Sequence, residues 1–254
     1  MMTTSVLVCR DGDVIARRAL DLMMGELRAA IAHRGSAHLA LTGGSSAATL
    51  FRVLRSEGRA RRVDWQRVHV WQGDERFVPL GHEASNWAVA RREWLDHPDG
   101  PRIPAAQLHP IPVDAAIAEG HDAAWSAATY SAEIEATLPR RDGIPAFDVI
   151  LLGVGSDGHI LSTFPGTAPV TQWHAAALPV GAPSHIEPRL PRVTLAPFLL
   201  RDAGLIIVMV AGSDKADVIA VCFGEERDPE RWPAQLAIRP NAVWLLEPSC
   251  AAGL

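Results

Sequence analysis

The sequence predicts an α/β fold, with one domain over residues 1–254 built around a mostly parallel β-sheet. Strand-like apolar runs alternate with helix-like segments along the whole chain, which is the pattern of strand–helix–strand units. Several strands end in glycine-rich polar turns, where open parallel sheets bind their ligands. No linker, internal repeat or low-complexity tract divides the chain, and 254 residues with 48% hydrophobic content can bury a substantial core.

Hydrophobic periodicity and glycine positions define the elements of the N-terminal half. A run over 5–9 predicts a first strand, and apolar residues at three- and four-residue steps over 13–34 predict an amphipathic helix that ends at Gly35. The second strand runs directly into a Gly-Gly-Ser turn and a helix start, and the third runs into a charged turn. The elements predicted after Gly35 are a strand at 38–42, a helical segment to about 55, a strand at 67–71 and a helix after Asn86 to about 96.

Prolines and apolar runs define the C-terminal half. Five prolines over 98–114 predict a loop, and five more over 167–191 predict mostly loop with a short strand near 176–180. The run from Phe147 to Leu152 is of strand length and rich in β-formers, so it predicts a buried strand. The other predicted elements are a helix over about 120–138, a strand directly after Arg192, a strand at 205–211, a helix to about 223 and a last strand at 242–246.

Four polar turns directly follow four of these strands. Right-handed crossovers make such strands parallel, so their carboxyl ends share one edge of the sheet and the turns converge there. Polar and charged groups from distant parts of the chain are therefore expected at one place. The turns are Gly43-Gly44-Ser45, Gly73-Asp74-Glu75-Arg76, Asp157-Gly158-His159 and Gly212-Ser213-Asp214-Lys215.

The turn after the central strand carries residues suited to proton transfer. Its three glycines let the backbone turn sharply and approach a ligand closely. Asp157 could orient the ring of His159 and fix its tautomer, leaving the other ring nitrogen to take a proton from water. A loop histidine is by itself more often structural than catalytic, so this hypothesis depends on the convergence of the turns.

Backbone and basic groups at the same edge suit an anion such as phosphate. The Gly43-Gly44-Ser45 turn opens a helix whose free N–H groups could bind an anion, although a glycine turn capped by Ser45 is the simpler interpretation. Lys215 is the only lysine in the chain and stands at the mouth of a strand. Arg192 could add a guanidinium fork for phosphate, although by itself it is more simply a surface charge.

The glycine-rich stretch at 153–158 matches the dinucleotide fingerprint G-x-G-x-x-G, but its context is wrong. That fingerprint requires a helix at the turn and an acidic residue about twenty positions later. Pro165 and Pro169 would cut a helix short, and no acidic residue stands near 178–181. Nicotinamide binding is therefore rejected. A zinc site is rejected too, because His159 has no second histidine or cysteine at ligand spacing.

Composition excludes several classes of protein. A net charge of −5 lacks the basic excess of nucleic-acid binders, and no apolar stretch approaches the roughly 18 residues that span a bilayer. The first apolar run, Val6 to Cys9, is too short for a signal peptide. The three cysteines share no metal or redox spacing, which fits a reducing compartment. A cytoplasmic protein without nucleic-acid or membrane partners is expected.

Taken together, these motifs resemble the 6-phosphogluconolactonase family over nearly the whole chain. Each motif is weak by itself, but all stand in the family's order. The chain departs from the family's usual pattern at Ile160 and at Ser46-Ala47. The segments that carry the resemblance are Leu39–Ser45, Gly73–Pro79 with His82 and Ser85-Asn86, Phe147–Gly166, Pro191–Thr194 and Gly212–Lys215.

The resemblance implies a fold and an activity. The fold would be a three-layer sandwich with a mostly parallel Rossmann-like sheet, like that of glucosamine-6-phosphate deaminase and ribose-5-phosphate isomerase. The activity would be hydrolysis of 6-phosphoglucono-δ-lactone to 6-phosphogluconate in the oxidative pentose phosphate pathway, without a metal or nucleotide cofactor. The partner would be this small sugar-phosphate lactone, and the protein would be a monomer or a homodimer.

The resemblance also assigns roles by position. His159 would be the general base that activates water, with Asp157 beside it. Arg76 would sit at the reacting end and help to hold negative charge, with Asp74 of the same motif in the catalytic set. The phosphate would be held by the Gly43-Gly44-Ser45 turn, Arg192 and Lys215.

Three alternatives share the fold. Glucosamine-6-phosphate deaminase/isomerase-like enzymes place a glutamate five residues after their histidine, and here that position is Phe164, which cannot move a proton. A non-catalytic sugar-phosphate-binding relative is a second alternative, since a sequence does not show a rate. The sensing modules of transcription regulators carry an extra N-terminal helix-turn-helix, for which a first strand at residue 5 leaves no room.

Overall fold

The structure is a computed structural model that describes residues 4–167 and 175–254, without the side chains of residues 60 and 61. Part of the predicted loop at 167–191, including Pro169, lies outside the described residues. The helices are α1 (Gly12–Arg34), α2 (Ser45–Glu57), α3 (Asn86–Ala90, continued by a π-helical turn over Arg91–Leu95), α4 (Val113–Glu119), α5 (Ala123–Thr137) and α6 (Ala216–Phe223). The strands are β1 (Ser5–Val8), β2 (Ala37–Leu41), β3 (Val68–Gln72), β4 (Asp74–Arg76), β5 (Leu108–His109), β6 (Arg140–Arg141), β7 (Ile144–Pro145), β8 (Val149–Leu152), β9 (Ala177–Val180), β10 (Arg192–Leu195), β11 (Leu205–Val210) and β12 (Ala242–Leu246).

In the described ranges, seven strands form the central sheet in the order β1-β12-β11-β8-β2-β3-β5. Every neighbouring pair in this sheet is parallel. The carboxyl ends of β2, β3, β8 and β11 therefore lie along one edge, and the four polar turns that follow them meet there. This confirms the predicted parallel sheet and the predicted convergence.

Helices cover both faces of the sheet and make a three-layer sandwich, as the family resemblance implies. Residues of a strand point alternately to opposite faces, and in β8 Val149 and Leu151 pack on one face while Ile150 and Leu152 pack on the other. The first face packs against α1 and α2, and the second against α5 and α6. Among the described residues, no helix has the length and apolar character needed to cross a membrane.

The N-terminal elements agree with their sequence signals. The side chain of Asp11 accepts a hydrogen bond from the backbone N–H of Val14, and so caps the start of α1. Gly35 ends α1 in the left-handed conformation, with φ 86°, and donates its N–H to the carbonyl of Ile31. The helix thus begins and ends where local chemistry satisfies its free backbone groups.

The predicted charged turn at 73–76 is wrong in one respect, because residues 74–76 form strand β4 instead. In the described residues this strand belongs to a second, small antiparallel sheet in the order β4-β10-β9. Glu75 is fully buried there. Its carboxylate accepts hydrogen bonds from the side chains of Gln72 and Ser85 and from the backbone N–H groups of residues 76, 86 and 87. These five donors satisfy the carboxylate and allow it to be buried.

Other differences concern short elements. The predicted loop at 98–114 contains β5, the edge strand, which pairs with β3. The helix predicted over 120–138 is α5 alone, and α4 precedes it. Gly120 separates the two helices with φ 74°, and the Asp122 side chain caps α5. A two-residue strand gives too weak a periodic signal to be recognised in a proline-rich segment.

Candidate active site

A cleft lies at the carboxyl edge of the central sheet, where the polar turns meet. Eight of the nine predicted site residues line it, and the ninth, Asp157, lies against the ring of His159. The predicted residues that line it are Gly43, Gly44, Ser45, Asp74, Arg76, His159, Arg192 and Lys215. The other lining residues are Thr42, Ser46, Asn86, Gly153, Val154, Gly155, Leu161, Met209, Val210 and Ala211.

The turn after β8 holds His159 against Asp157. His159 Nδ1 lies 2.5 Å from Asp157 Oδ1, and the same oxygen accepts the backbone N–H of His159 at 3.2 Å. Both side chains are mostly buried, at 18% and 14% exposed. No described residue hydrogen-bonds Nε2 of His159, and the ring lines the cleft. If Nδ1 carries the proton that Asp157 accepts, Nε2 is left as a base toward the cleft.

Gly155 makes the space for this pair. A Cβ atom on Gly155 would lie 2.0 Å from His159 Nδ1 and 2.5 Å from Asp157 Oδ1, closer than non-bonded atoms approach. The turn itself is closed by the N–H of Gly155, which donates to the carbonyl of His159, and by the N–H of Gly158, which donates to the carbonyl of Gly155. Gly155 is therefore required by the His159–Asp157 contact.

Asp157 is held in its ionised form. Burial raises the pKa of its carboxyl, but the hydrogen bonds and charge of His159, with a hydrogen bond from His185, outweigh burial and leave the pKa well below its usual value. An ionised carboxylate at this position favours the tautomer of His159 that carries its proton on Nδ1. It would also stabilise the imidazolium that forms when Nε2 takes a second proton.

Two arginines face each other in the cleft. Arg192 on β10 is paired directly with Arg76 on β4, and like charges in that position repel. Neither guanidinium forms an ion pair within the described part of the chain, and the buried Nε atom of each has no hydrogen-bond partner there. Arg76 Nη1 donates to the carbonyl of Ala84 at 2.6 Å, and Arg192 Nη2 donates to that of Pro188 at 3.2 Å. These two cations leave donors unused and suit an anionic ligand.

Arg192 is not the surface charge that its sequence context suggests, because it is only 3% exposed. Burial lowers the pKa of its guanidinium, and the nearby Asp74 carboxylate opposes that shift. Its Cζ lies 5.3 Å from the centre of the Phe164 ring, in cation–π geometry. A buried cation without a carboxylate partner is costly in the free protein, so its presence favours a functional role.

Asp74 and Asn86 form a polar wall beside the arginines. Ser162 Oγ donates to one oxygen of Asp74 at 2.7 Å, and Asn86 Nδ2 donates to the other at 3.2 Å. Gly43 makes room for Asn86, since a Cβ there would lie 2.1 Å from Asn86 Oδ1. This glycine is required by a close approach across the cleft.

The start of α2 and Lys215 complete the cleft. Gly44 precedes the helix with φ 90° and no side chain caps the N-terminus, so the capped-turn interpretation is wrong. Backbone N–H groups at an uncapped helix start suit an anion. Lys215 follows β11, is 19% exposed and pairs with the exposed carboxylate of Asp214 at 2.8 Å. The backbone and the lysine thus add positive potential to the arginine pair.

Sequence reasoning missed several residues that shape the site. Asn86 and Ser162 orient Asp74, and His185 contacts Asp157. Leu161 lines the cleft at φ 54°, which is uncommon for a bulky side chain and is a form of backbone strain found at functional sites. Ser85-Asn86 stood in a recognised motif, so Asn86 could have been included. The contacts of the other three residues depend on chain segments that are distant in sequence or on backbone geometry.

The residues that differ from the usual pattern of the 6-phosphogluconolactonase family, Ile160 and Ser46-Ala47, lie partly in the core and partly at the cleft. Ile160 is fully buried in the core, and Ala47 is also buried. Ser46 lines the cleft at the start of α2. Over the described residues, no group of three or more histidine, cysteine, aspartate or glutamate side chains is arranged to hold a metal ion.

Comparisons with known proteins agree with one another. The family model described as glucosamine-6-phosphate isomerases/6-phosphogluconolactonase matches residues 10–245. A 6-phosphogluconolactonase from Synechocystis sp. is 34% identical over 100% of this chain and 99% of its own length, and one from Mycobacterium tuberculosis is 35% identical over the same shares.

Solved structures show the same likeness. The 6-phosphogluconolactonase from Trypanosoma cruzi superposes with a TM-score of 0.86 at 25% identity, covering 100% of this chain and 97% of that one. The one from Leishmania guyanensis gives 0.85 at 27% identity, covering 99% and 98%. A monomeric glucosamine-6-phosphate deaminase shares the fold, with a TM-score of 0.77 at 17% identity over 99% of this chain and 100% of that one.

Proposed function

The chain belongs to the family of glucosamine-6-phosphate isomerases and 6-phosphogluconolactonases, and we propose that it is a lactonase of this family. It hydrolyses 6-phosphoglucono-δ-lactone to 6-phosphogluconate, a step of the oxidative pentose phosphate pathway. The observation that carries the proposal is the His159–Asp157 pair, which presents a free ring nitrogen to a cleft that also holds two arginines without carboxylate partners.

The reaction needs an activated water and stabilisation of the charge that develops on the lactone oxygen. His159 Nε2 takes a proton from water, and the resulting hydroxide attacks the lactone carbonyl. Asp157 stabilises the imidazolium so formed. When the tetrahedral intermediate collapses, the bond to the ring oxygen breaks and His159 returns the proton to that oxygen. The products are a hydroxyl group and a carboxylic acid, which releases its proton to solvent and becomes the carboxylate.

The remaining residues bind and orient the substrate. Arg76 stabilises the developing oxyanion. Arg192 lies opposite Arg76 on the neighbouring strand, and the two cations repel each other. A negative charge bound between them relieves this repulsion, which makes its binding more favourable. Arg192, Lys215 and the uncapped N-terminus of α2 hold the phosphate. Anchoring the phosphate converts attack by water into a reaction between positioned groups. Asp74, fixed by Ser162 and Asn86, balances the charge of the arginines.

The lactonase is favoured over the deaminase by the side chain at position 164. Phe164 is 1% exposed, and its ring centre lies 4.7 Å from that of His159 and under the guanidinium of Arg192. An apolar ring therefore occupies the place where the deaminases carry a proton-transferring glutamate. No proton relay for sugar-ring opening can pass through it.

The test is a coupled assay on freshly generated lactone, with product followed by a dehydrogenase specific for 6-phosphogluconate. The lactone opens slowly without enzyme, so that rate is measured at each pH and subtracted. We expect a rate far above the spontaneous one. Binding of 6-phosphogluconate without any acceleration would support the non-catalytic alternative. The described cysteines are free and buried, which suits a cytoplasmic enzyme, and the protein acts as a monomer or homodimer.

A further inference from the structure

The carboxylate of Asp157 is held by two histidines. Oδ1 faces His159 Nδ1 at 2.5 Å, and Oδ2 faces His185 Nε2 at 2.8 Å. His185 comes from the loop between β9 and β10, 28 residues after Asp157. Both imidazoles pack against Phe164, whose ring centre is 4.7 Å from that of His159 and 6.1 Å from that of His185.

We propose that His185 is a positioning residue that orients the general base through Asp157. It donates its Nε2 proton to Oδ2, so the carboxylate is bound at both oxygens and its plane is fixed. Oδ1 is then directed at His159 Nδ1, which holds the ring with Nε2 toward the cleft. This inference rests on the proposed role of His159. His185 does not line the cleft within the described residues, so its effect passes through Asp157.

The surroundings support this arrangement. A carboxylate bound at one oxygen can rotate about its Cβ–Cγ bond, and each such rotation would release the imidazole. Phe164 limits movement of both rings, since it packs against His159 at an interplanar angle of 45° and edge-to-face against His185 at 84°. The positive charge of Arg192 lies over the same ring and interacts with Asp157. Glu187 and Arg189 in the loop of His185 pair with each other at 3.0 Å.

Three variants test the proposal. His185→Phe keeps an aromatic ring against Phe164 but loses the donor, and His185→Gln keeps a donor near the Nε2 position. The matched control is His121→Phe, because His121 is similarly exposed (42%, against 47% for His185) and also packs against an aromatic ring, that of Trp125, with the ring centres 4.7 Å apart. His121 lies in the connection between α4 and α5, outside the residues assigned to the site.

The expected result is a split between kcat and KM. His185→Phe should lower kcat about three- to tenfold with KM for the lactone within about twofold, because the hydrogen bond is to a charged group but water can partly replace it at a half-exposed site. His185→Gln should stay within about twofold of wild type in both constants, and His121→Phe should be unchanged. Equal kcat for the two Phe variants would overturn the inference. A raised KM at unchanged kcat in His185→Phe would also overturn it, as would a kcat in His185→Gln as low as that in His185→Phe.

A second measurement does not need turnover. The proton between His159 Nδ1 and Asp157 is followed by NMR and assigned by its loss in His159→Asn. In His185→Phe it should exchange with water at least about threefold faster than in wild type, and in His185→Gln at close to the wild-type rate. If the wild-type protein does not hydrolyse the lactone, the proposed function fails, and the exchange rate still decides the positioning of His159. An unchanged exchange rate in His185→Phe would reject that positioning.

Discussion

The variant Arg192→Met distinguishes the effect of Arg192 on the stability of the ligand-free protein from its contribution to ligand binding. Methionine fills a similar space without charge, and it retains apolar contact with the face of Phe164. Arg192 is 3% exposed, its Nε is buried without a partner, and it lies opposite Arg76. Removing it should therefore weaken the binding of 6-phosphogluconate without unfolding the empty protein.

The magnitudes follow from the contacts. A charge-assisted contact to phosphate is worth about 1.5–3 kcal/mol, so the dissociation constant should rise roughly 10- to 150-fold. For the free protein, the unsatisfied buried donor costs about 1–3 kcal/mol, whereas the hydrogen bond to Pro188 and the cation–π contact contribute about 1–2 kcal/mol. The lowered pKa of Arg192 also indicates that its charge destabilises the folded protein. A base that is harder to protonate when folded opposes folding at all pH values below its folded pKa. The free energy of unfolding should thus stay within about 1 kcal/mol of wild type or rise.

The assay is calorimetric titration with 6-phosphogluconate, together with urea unfolding in the absence of ligand. Arg189→Met is the control, since Arg189 is three residues away and 63% exposed. Inorganic phosphate is titrated as well, and its affinity should fall in Arg192→Met if the lost contact is to the phosphate group. Wild-type affinity in Arg192→Met, or a loss no larger than in Arg189→Met, would refute the assignment. Destabilisation by more than about 2 kcal/mol would show that Arg192 stabilises the fold.

Four further predictions concern the turn after β8 and its neighbours. His159→Asn should lower background-corrected kcat by about 10²–10⁴ while 6-phosphogluconate binds nearly as in wild type; turnover within about threefold of wild type would mean that another group takes the proton. Gly155→Ala should lower kcat at least about tenfold, because its Cβ would displace the His159–Asp157 pair. The control is Gly25→Ala, at an exposed position of α1 with open space around it. This control should keep full activity and raise the free energy of unfolding in urea by about 0.5–1 kcal/mol. Asp157→Asn should cost about 1–3 kcal/mol of unfolding free energy at pH 7. That difference should shrink below about pH 4, since a carboxyl with a lowered pKa loses its contribution as pH falls toward its folded value; a difference independent of pH would contradict this. Because Phe164 occupies the relay position, glucosamine-6-phosphate should release no ammonia above the no-enzyme control.

The order of the main strands and helices could be read from the sequence because their signals are local. Apolar runs of strand length mark β8 and β11, and Gly35 terminates α1 through its own backbone conformation. The His159–Asp157 pair is local as well, because the two residues are separated by one glycine in a turn that their own backbone closes. Such features do not depend on which distant segment packs against them.

Other features could not be read in this way. Glu75 stands in a charged turn in the sequence, and three of the five donors that allow its burial come from residues 85–87. The short edge strand β5 exists because β3 offers it a partner. Burial and pairing of this kind are properties of two segments at once, and a pattern within one segment carries no trace of them.

The sequence by itself determined a parallel α/β sheet, the edge at which its polar turns meet and most of the residues found there. Only the tertiary structure decided how those residues are charged and held. It set Arg192 opposite Arg76 and buried it without a carboxylate, and it brought His185 onto Asp157 across 28 residues of chain. The physical reason is that periodicity and turn chemistry act between near neighbours, whereas the solvation of a charge depends on every segment that folds over it.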